Sequence, residues 1–460
     1  MTASLMNIKG FGREAFEQVH ALEEQVTSIR LNPFKSVALA MNGKDNLTQS
    51  AICNLKSAIA WCPHGFYLPH RPSFTFDPLF HAGVYYVQEA SSMFLWEVLK
   101  QTAGDNTNGM KVLDLCAAPG GKSTLLASYF QHGLVVANEV IKARAAVLVE
   151  NITKWGSANV IVSNNDPKDF SALPGYFDIM VIDAPCSGSG LFRRDAQAIN
   201  EWSEENVQLC SQRQQRILAD AYAALKNGGL LVYSTCSYSK QEDEDILDWL
   251  CGNFEVENLP LSINGAWGIV ETESDIHKAK GYRFYPYKVQ GEGFFIAAFR
   301  KKDGIAEEYR VQGLTKTTKE ETEATGRFIQ EDSAFTFFKQ GGGIIAIPVA
   351  FKNDVAALQK HLYLRKAGIT AGSLKGSDFV PAHELAMSMI VNKNIPGIEL
   401  AYPQAIQYLQ KKDIETGNFE KGWSLATYGN INLGWMKVLP NRVNNYYPVE
   451  WRILKDAPGR

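Results

Sequence analysis

The chain has 460 residues, more than one ordinary hydrophobic core holds, and this length predicts two to four domains. Hydrophobic residues make up 45% and charged residues 21%, the proportions of a globular protein, which excludes extensive disorder. The formal net charge of -3 gives no basic signature, so any affinity for nucleic acid must come from a local patch.

Seven cysteines are spread along the chain, at positions 53, 62, 116, 186, 210, 236 and 251. They form no CxxC or CxxH pair, so we expect neither a disulfide framework nor a metal site. The first residues lack the apolar core of a signal peptide, and no apolar run is long enough to cross a bilayer. We therefore expect a cytoplasmic protein without a membrane partner.

The first hundred residues are predicted to be largely helical. Apolar residues recur at helical spacing from Phe11 to Val26, and a turn at Asn32 and Pro33 follows. Arg30 and Lys35 flank that turn, either as a solvated loop or as an edge that faces RNA. Residues 83–100 are predicted to form a turn and an amphipathic helix.

From residue 111 onward, short apolar strands alternate with helices up to FFIAAF at 294–299. This alternation favours an α/β fold with a parallel, doubly wound sheet. The charged, threonine-rich stretch 303–326 is predicted to be a linker. Residues 327–398 then resemble a small α+β unit, and the alternating pattern with Gly and Asn turns in 399–460 favours a small β-barrel.

A glycine loop, LDLCAAPGGKST, spans residues 113–124. It is not a P-loop, because Cys116 stands where GxxxxGK[ST] needs its first glycine, and adjacent Gly120 and Gly121 do not fit GxGxxG. What remains is a strand, a tight turn and a helix N-terminus, whose free N–H groups favour a carboxylate such as that of S-adenosylmethionine.

Acidic residues follow the next two strands. Glu139 ends one strand, in the place where a carboxylate accepts ribose hydroxyls, and Asp166 follows the next. Each acid alone is more commonly a solvated loop residue or a helix cap. In order on successive strands of one sheet, they predict a nucleoside site.

Two cysteines lie just past the ends of apolar strands, Cys186 in DAPCSGSG and Cys236 in YSTCS. If the strands that end at Asp183 and Ser234 are neighbours, both thiols can reach one substrate beside the glycine loop. The other reading, a small buried hydrophobe, is the one we adopt for cysteines 53, 62, 210 and 251. Two thiols beside a cofactor loop suggest covalent chemistry.

CAAPGGK, DAPCSGSG and STCS, in this order, resemble the S-adenosylmethionine-dependent RNA cytosine-5 methyltransferases of the Nol1/Nop2/Sun family. TSIRLNPFK, YYVQEASSM, RFYPYKVQGEGFF, FVPAHELAM and NNYYP resemble its RsmF branch, which acts on bacterial small-subunit rRNA. The resemblance implies a Rossmann-like methyltransferase domain at 86–302, an N-terminal RNA-binding extension at 1–85, a linker at 303–326, an α+β domain at 327–398 and a PUA-like RNA-binding barrel at 399–460.

The resemblance also implies roles for individual residues. Cys236 would be the nucleophile that adds to cytosine C6, and Cys186 would help to remove the C5 proton. Asp183 would bind the cytosine N3 and N4 edge, and Lys122 would favour the thiolate. Glu139 is a departure, because relatives commonly carry aspartate there. The implied S-adenosylmethionine contacts are Cys116, Ala117, Ala118, Pro119, Gly120, Gly121, Lys122, Glu139, Arg144, Asp166 and Asp183.

The implied reaction is methylation of cytosine C5 in 16S rRNA, by a monomer acting on rRNA or on an assembly intermediate of the small subunit. Attack by Cys186, as in DNA cytosine methyltransferases, is an alternative that the STCS loop argues against. The same chemistry on transfer RNA or 23S rRNA and a noncatalytic ribosome assembly factor remain alternatives. Candidate phosphate contacts are Arg30, Lys35, Arg193, Arg194, Arg283 and Lys288, and candidate stacking residues are Tyr282, Tyr285 and Tyr287; Trp423, Trp435, Tyr446 and Tyr447 are more typical of a barrel core.

Overall fold

The computed structural model describes residues 2–6, 8–22, 25–40, 50–104, 106–194, 196–304, 309, 313–414 and 419–456. Within these ranges, no helix is both long and apolar enough to cross a membrane. The same part of the chain holds no group of three His, Cys, Asp or Glu side chains that could bind a metal ion. Residues 305–308 and 310–312 of the predicted linker lie outside the described residues.

An antiparallel sheet of strand order β2–β3–β1–β4 organises the N-terminal region. The prediction of a largely helical extension is therefore wrong here, and the helix predicted from Phe11 to Val26 covers only part of that span. TSIRL forms the buried strand β1, because its apolar and polar side chains find partners on both faces. The elements are α1 (Thr2–Leu5), α2 (Arg13–Ala21), β1 (Thr27–Leu31), α3 (Pro33–Ala40), β2 (Ser57–Ala58), β3 (Gly65–Leu68), α4 (Pro78–His81) and β4 (Tyr85–Val87).

The central sheet has the order β11–β12–β13–β9–β8–β5–β6–β7–β16, with β10 paired to β13. Strands β7, β6, β5, β8 and β9 run parallel, which confirms the predicted doubly wound α/β core. The elements of this region are α5 (Leu95–Thr102), β5 (Lys111–Asp114), α6 (Gly121–Tyr129), β6 (Leu134–Asn138), α7 (Lys142–Trp155), β7 (Val160–Ser163), β8 (Phe177–Asp183), α8 (Ala196–Glu201), α9 (Glu204–Ala221), β9 (Leu225–Thr235), α10 (Glu244–Asn253), β10 (Val256–Asn258), β11 (Val270–Glu273), β12 (Lys280–Phe284) and β13 (Phe294–Lys301).

Both faces of this sheet are buried. Successive residues of β5 alternate between two hydrophobic clusters, with Leu113 on the face covered by α9 and α10 and Val112 on the face covered by α5, α6 and α7. A parallel sheet covered on both faces reads as continuous apolar runs, which is why these strands are clear in the sequence.

Two further sheets, β14–β15–β17–β18 and β19–β20–β21–β22, lie in the C-terminal region. Strand β16 leaves this region and pairs with β7 at the edge of the central sheet, an arrangement that the sequence does not predict. The elements are α11 (Lys319–Gly326), β14 (Phe335–Gln340), β15 (Gly343–Pro348), α12 (Lys352–His361), β16 (Leu364–Ala367), β17 (Ile369–Lys375), β18 (Asp378–Pro381), α13 (His383–Met387), β19 (Gly397–Glu399), α14 (Tyr402–Leu409), β20 (Gly422–Tyr428), β21 (Ile431–Leu439) and β22 (Arg442–Asn445).

Candidate active site

The order of the parallel strands reverses between β5 and β8, the point at which open α/β sheets bind ligands. The last residues of these strands are Asp114 and Asp183. Asp114 is fully buried and accepts a hydrogen bond of 2.6 Å from Ser123 Oγ on α6. Burial raises the pKa of the Asp114 carboxyl to about 7. Two carboxyl groups therefore lie at the reversal point, in contact with the start of the helix that follows the glycine loop.

The glycine loop turns sharply from β5 into α6. Gly120 has a φ of +116°, in the left-handed region that favours glycine, and a Cβ there would lie 3.1 Å from Leu148 Cδ1, so that the leucine side chain would have to shift. In the first turn of the helix, Lys122 Nζ lies 2.7 Å from Asp183 Oδ2. The other oxygen of Asp183 accepts a hydrogen bond of 2.8 Å from Ser234 Oγ on β9. Asp183 thus links the glycine loop to the strand that leads to Cys236.

A cavity of about 170 Å³ lies between the glycine loop and the segment after β4. The predicted cofactor residues that line it are Cys116, Ala117, Ala118, Pro119, Gly121, Lys122 and Asp183. The opposite wall, which the sequence did not predict, consists of Tyr86, Val87, Gln88, Glu89 and Ser92. A larger cavity of about 370 Å³ is lined mainly by aliphatic and asparagine side chains, among them Met389 and Asn432, with Phe34 beside them. None of the predicted catalytic or cofactor residues lines it.

Cys116 lies at the floor of this loop, and burial raises the pKa of its thiol well above the ordinary range. It is therefore held as a neutral thiol at physiological pH. This agrees with a cofactor-lining role and not with a nucleophilic one.

The remaining predicted cofactor residues lie beside the cavity instead of lining it. Glu139 is buried at the end of β6; its Oε1 accepts the Ile141 N–H at 2.9 Å, and its Oε2 lies 3.4 Å from Arg144. Arg144 also donates to the Ala118 carbonyl at 2.7 Å, which fixes the loop from the far side. Asp166 caps the 3₁₀ turn Pro167–Ala172 and lies 3.7 Å from Arg216.

The two predicted thiols meet. Strands β8 and β9 are neighbours, with Asp183 paired to Ser234, and Cys186 Sγ lies 2.9 Å from Cys236 Sγ in a hydrogen bond. Both cysteines are half-buried. The hydrogen bond to Cys236, together with burial, raises the pKa of the Cys186 thiol well above its ordinary value. Cys186 therefore keeps its proton and can share it with the sulfur of Cys236.

The sequence reasoning missed the carboxylate that joins the two thiol loops. Glu242 is fully buried, and its Oε2 accepts hydrogen bonds from Ser187 Oγ at 2.5 Å and Ser237 Oγ at 2.6 Å. Its Oε1 accepts the Ser187 N–H at 2.8 Å and Gln214 Nε2 at 3.2 Å. The available signal was that a serine directly follows each of the two cysteines.

The N-terminal sheet braces the glycine loop through Arg30, which is fully buried. Its guanidinium donates to Thr124 Oγ1 at 2.6 Å and to the Gly121 carbonyl at 3.2 Å, both on the first turn of α6. It also donates to Gln88 Oε1 at 2.8 Å, in the second wall of the cavity. Burial lowers the pKa of Arg30 to about 10, so the group stays charged at neutral pH. The expectation that Arg30 faces solvent or RNA is wrong.

Lys35 is also buried, against expectation, with its ammonium donating to the carbonyls of Ala82 and Lys154. Burial lowers the pKa of Lys35 to about 7. Its side chain therefore ties α3 to the neighbouring segments and does not contact a phosphate.

The candidate residues for RNA contact near β12 and β13 divide into buried and exposed groups. Arg283 is buried and paired with Asp243 at 3.0 Å, so it is not a phosphate contact. Arg193 is mostly buried near Glu292 at 3.7 Å. Arg194 and Lys288 are exposed, as proposed.

The three tyrosine candidates are held inside the protein. Tyr282 and Tyr285 are buried, so their assignment as base-stacking residues is wrong. The hydroxyl of half-buried Tyr287 donates to the Gly10 carbonyl, and its assignment stays a prediction. Trp435 and Tyr447 are buried in the C-terminal region, as predicted for core residues.

Comparison with known proteins identifies the family. The family model for the 16S rRNA methyltransferase RsmB/F matches residues 101–300, that for the N-terminal domain of 16S rRNA methyltransferase RsmF matches 4–90, and that for the methyltransferase RsmF PUA domain matches 396–453. A ribosomal RNA small subunit methyltransferase F from Shewanella loihica is 31% identical over 410 residues, which cover 85% of this chain and 82% of the relative.

Further relatives agree with that match. A ribosomal RNA small subunit methyltransferase F from Escherichia coli is 30% identical over 415 residues, covering 85% of this chain and 84% of the relative. A methyltransferase homolog from Pyrococcus horikoshii, known from its crystal structure, is 30% identical and has a TM-score of 0.54, over 65% of this chain and 93% of that one. The resemblance carried by the glycine loop and the two cysteine motifs is thereby confirmed, and the chain belongs to the family of 16S rRNA methyltransferases RsmB/F.

Proposed function

We propose that this protein methylates C5 of a cytosine in 16S ribosomal RNA, with S-adenosylmethionine as methyl donor and Cys236 as a covalent nucleophile. The single observation that carries the proposal is the pair of half-buried thiols, 2.9 Å apart, at the carboxyl ends of β8 and β9. Strand β8 borders the reversal point of a methyltransferase sheet, and β9 is its neighbour on the far side from β5. A methyl transfer that needed no covalent step would not require two sulfurs at this place.

The residues beside the glycine loop fit the methyl donor. The first turn of α6 opens on the cavity, where its free N–H groups suit the carboxylate of an amino acid. The Glu139 carboxylate, at the end of the next strand, suits a ribose. Cys116, Ala117, Ala118, Pro119, Gly120, Gly121 and Lys122, with Glu139, Arg144, Asp166 and Asp183, would hold the molecule. When bound, S-adenosylmethionine supplies an electrophilic methyl group.

In the proposed reaction, the Cys236 thiolate forms a bond to C6 of the cytosine. The electron pair of the C5–C6 double bond then becomes available at C5 and forms the bond to the methyl group, whose bond to the donor sulfur breaks and leaves its electron pair on that sulfur as a neutral thioether. Asp183, already fixed by Lys122 and Ser234, accepts a hydrogen bond from the N4 amino group and from N3 once N3 is protonated, and so stabilises the protonated ring. Removal of the C5 proton restores the double bond and breaks the bond between sulfur and C6.

The environment of the thiols supports this division of roles. Burial and the hydrogen bond to Cys236 favour the protonated form of Cys186, and the resemblance of the STCS motif assigns the nucleophile to Cys236. Once Cys236 has bonded to C6, its hydrogen bond and charge no longer hold the proton on Cys186, so Cys186 can lose that proton to solvent and then, as a thiolate, take the C5 proton. Attack by Cys186 would instead require the early loss of a proton that burial and Cys236 stabilise.

The target base must be accessible to the thiols, and the surrounding RNA must be held near them. Attack at C6 requires an unstacked base, so the target cytosine lies in a loop, a bulge or a locally opened helix. We propose that the regions 1–85, 327–398 and 399–460 hold the surrounding RNA and that residues 303–326 connect them to the methyltransferase domain at 86–302. The exposed Arg194, close to the thiol loops in the chain, is the first candidate for a phosphate contact. We further propose a cytoplasmic location, which a ribosomal RNA substrate suggests, and a monomeric enzyme; both remain predictions.

The proposal is tested by incubating the protein with 16S rRNA and with S-adenosylmethionine labelled in its methyl group. The RNA is then digested and its nucleosides are separated. Label in 5-methylcytidine is the expected result. Label in another nucleoside would contradict cytosine C5 as the acceptor, whereas an absence of turnover would favour a noncatalytic assembly factor. Parallel reactions with transfer RNA and 23S rRNA test the choice of substrate.

A further inference from the structure

The loops that carry the two thiols are joined below the sulfurs by one carboxylate. Ser187 follows Cys186 and Ser237 follows Cys236, and both hydroxyls donate to the same oxygen of Glu242. The carboxylate thus reaches the residue next to each sulfur. The two loops are 50 residues apart in the chain.

Glu242 is itself held in place from a third element. It lies just before α10, where its Oε1 accepts Gln214 Nε2 of helix α9, and its own backbone carbonyl accepts the hydroxyl of Tyr233 at 2.7 Å. The donors to the side chain are two hydroxyls, one backbone N–H and one amide N–H, a set that suits a carboxylate, which accepts at both oxygens. Such charge-assisted bonds are about twice as strong as neutral ones.

We propose that Glu242 is a positioning residue that sets the distance between the Cys186 and Cys236 sulfurs. This role rests on the proposed function, since the spacing matters only if both sulfurs act on one base. Removing Glu242 frees the hydroxyl of each serine beside the sulfurs and leaves the two loops joined further along, by the Gly190 N–H to the Cys236 carbonyl and the Tyr238 N–H to Ser189 Oγ. Small errors in the placement of reacting groups slow a reaction strongly, so the spacing would be costly to lose.

The proposal differs from a purely structural role because the carboxylate also acts through its charge. The negative charge of Glu242 contributes to the raised pKa of the Cys186 thiol, after the hydrogen bond to Cys236 and burial. Replacing Glu242 by glutamine removes that charge and keeps the shape and one oxygen for the two hydroxyls, but its amide nitrogen cannot accept the Ser187 N–H and Gln214 Nε2. In Glu242→Gln, Cys186 should therefore lose its proton at a lower pH than in the wild type.

The first measurement is the redox equilibrium of the Cys186 and Cys236 thiols with oxidised and reduced glutathione, followed by mass spectrometry of the linked peptides. It gives the effective concentration of one thiol toward the other and hence reports their spacing. We expect Glu242→Ala to lower this concentration by about tenfold or more, and Glu242→Gln to stay within about threefold of the wild type. Should Glu242→Ala not fold, the double variant Ser187→Ala, Ser237→Ala removes the same hydroxyl bonds and should show the same loss.

The matched control is Glu244→Gln. Glu244 is a buried carboxylate two residues further on, paired with Arg283 and Thr272 and without a hydrogen bond to either thiol loop. Its replacement should lower the melting temperature and leave the effective concentration of the thiols within about threefold of the wild type. An equal loss in Glu244→Gln, or an unchanged value when the hydroxyl bonds to Glu242 are removed, would overturn the proposal.

The second measurement is the pH dependence of alkylation of Cys186 by iodoacetamide, read by mass spectrometry. A shift of the profile to lower pH in Glu242→Gln, and not in Glu244→Gln, is the expected result, and an unshifted profile would contradict it. Neither measurement needs RNA or S-adenosylmethionine. A protein that failed to methylate cytosine would refute the proposed function and leave these results intact. Thiol measurements that do not respond to the loss of Glu242 would refute its role and leave the proposed function intact.

Discussion

The buried carboxyl of Asp114 makes the stability of the protein depend on pH. Burial raises its pKa from an ordinary value of 3.8 to about 7. A raised pKa in the folded state means that the contribution of this group is complete below about pH 4 and is lost as the pH rises to about 7. Over this pH range the group should reduce the free energy of unfolding of the wild type by about 4 kcal/mol at most, at 1.36 kcal/mol per pKa unit. In Asp114→Asn this reduction should be absent. Urea unfolding of the ligand-free protein across this pH range measures it, and parallel curves for variant and wild type would contradict it.

The two sulfurs should give opposite phenotypes when removed singly. Cys236→Ala is expected to form no covalent RNA adduct, because the bond to C6 cannot form. Cys186→Ala is expected to accumulate the adduct, because the C5 proton is no longer removed. Denaturing gel electrophoresis of protein incubated with RNA and S-adenosylmethionine separates the outcomes. An adduct that survives the loss of Cys236 would reverse the assignment of the two cysteines.

Arg194 is the exposed cation that follows the first thiol loop. A phosphate contact releases a counterion, so Arg194→Gln should weaken RNA binding and reduce the slope of log affinity against log salt by about one. Lys302→Gln is the matched control, because Lys302 is an exposed cation that pairs with Glu257 beyond the far end of β13. An unchanged slope in Arg194→Gln would remove this residue from the RNA interface.

At the level of elements, strand β1 supports helix α6 through one side chain. Arg30→Met would leave Gln88 and Thr124 without their buried donor, and we expect the free energy of unfolding to fall by about 2 kcal/mol. Affinity for S-adenosylmethionine should fall as well, because the first turn of α6 loses its brace. Calorimetric titration and urea unfolding measure the two effects. Arg71→Met, an exposed arginine of the same region, should change neither.

The salt dependence of RNA binding distinguishes this account from the interpretation based on sequence alone. If Arg30 contacts only groups within the protein, Arg30→Met should have the same slope of log RNA affinity against log salt as the wild type. A reduced slope would instead restore Arg30 as a phosphate contact.

Elements with a strong local pattern could be predicted from the sequence, and those defined by distant partners could not. The strands of the parallel core are apolar throughout because helices cover both faces, and their ends could therefore be located well enough to predict that Cys186 and Cys236 meet. Of the strand-end residues, Asp183 lines the cavity beside the glycine loop, and the two cysteines do not. The sequence around Arg30 predicts a solvated turn and not the buried strand β1, because the side chains that pair with Arg30, those of Gln88 and Thr124, are distant in the chain.

The same limit explains two other omissions. Strand β16 is four residues long and has two basic residues, and only its pairing with β7 makes it a strand. Glu242 begins a charged run, EDED, of the kind that usually starts an exposed helix. Its burial depends on Ser187 and Gln214, which are distant in the chain.

Across the whole molecule, the N-terminal and C-terminal regions share a hydrophobic core. Ile29, Leu79 and Tyr85 of the N-terminal region are in the same buried cluster as Ile406 and Met436 of the C-terminal region. The N-terminal region also supplies one wall of the cavity beside the glycine loop. Regions that we propose to hold RNA are thus packed against each other, and the N-terminal one borders the cavity beside the glycine loop. We therefore expect binding of the RNA and placement of the methyl donor to be coupled.

The measurement that tests the central claim most directly is bisulfite sequencing of 16S rRNA from a deletion strain, since 5-methylcytosine resists the deamination that converts cytosine. The account predicts a protected cytosine that disappears on deletion, returns with the wild-type gene and does not return with Cys236→Ala. Unchanged protection of 16S rRNA in the deletion strain, or recovery with Cys236→Ala, would contradict it.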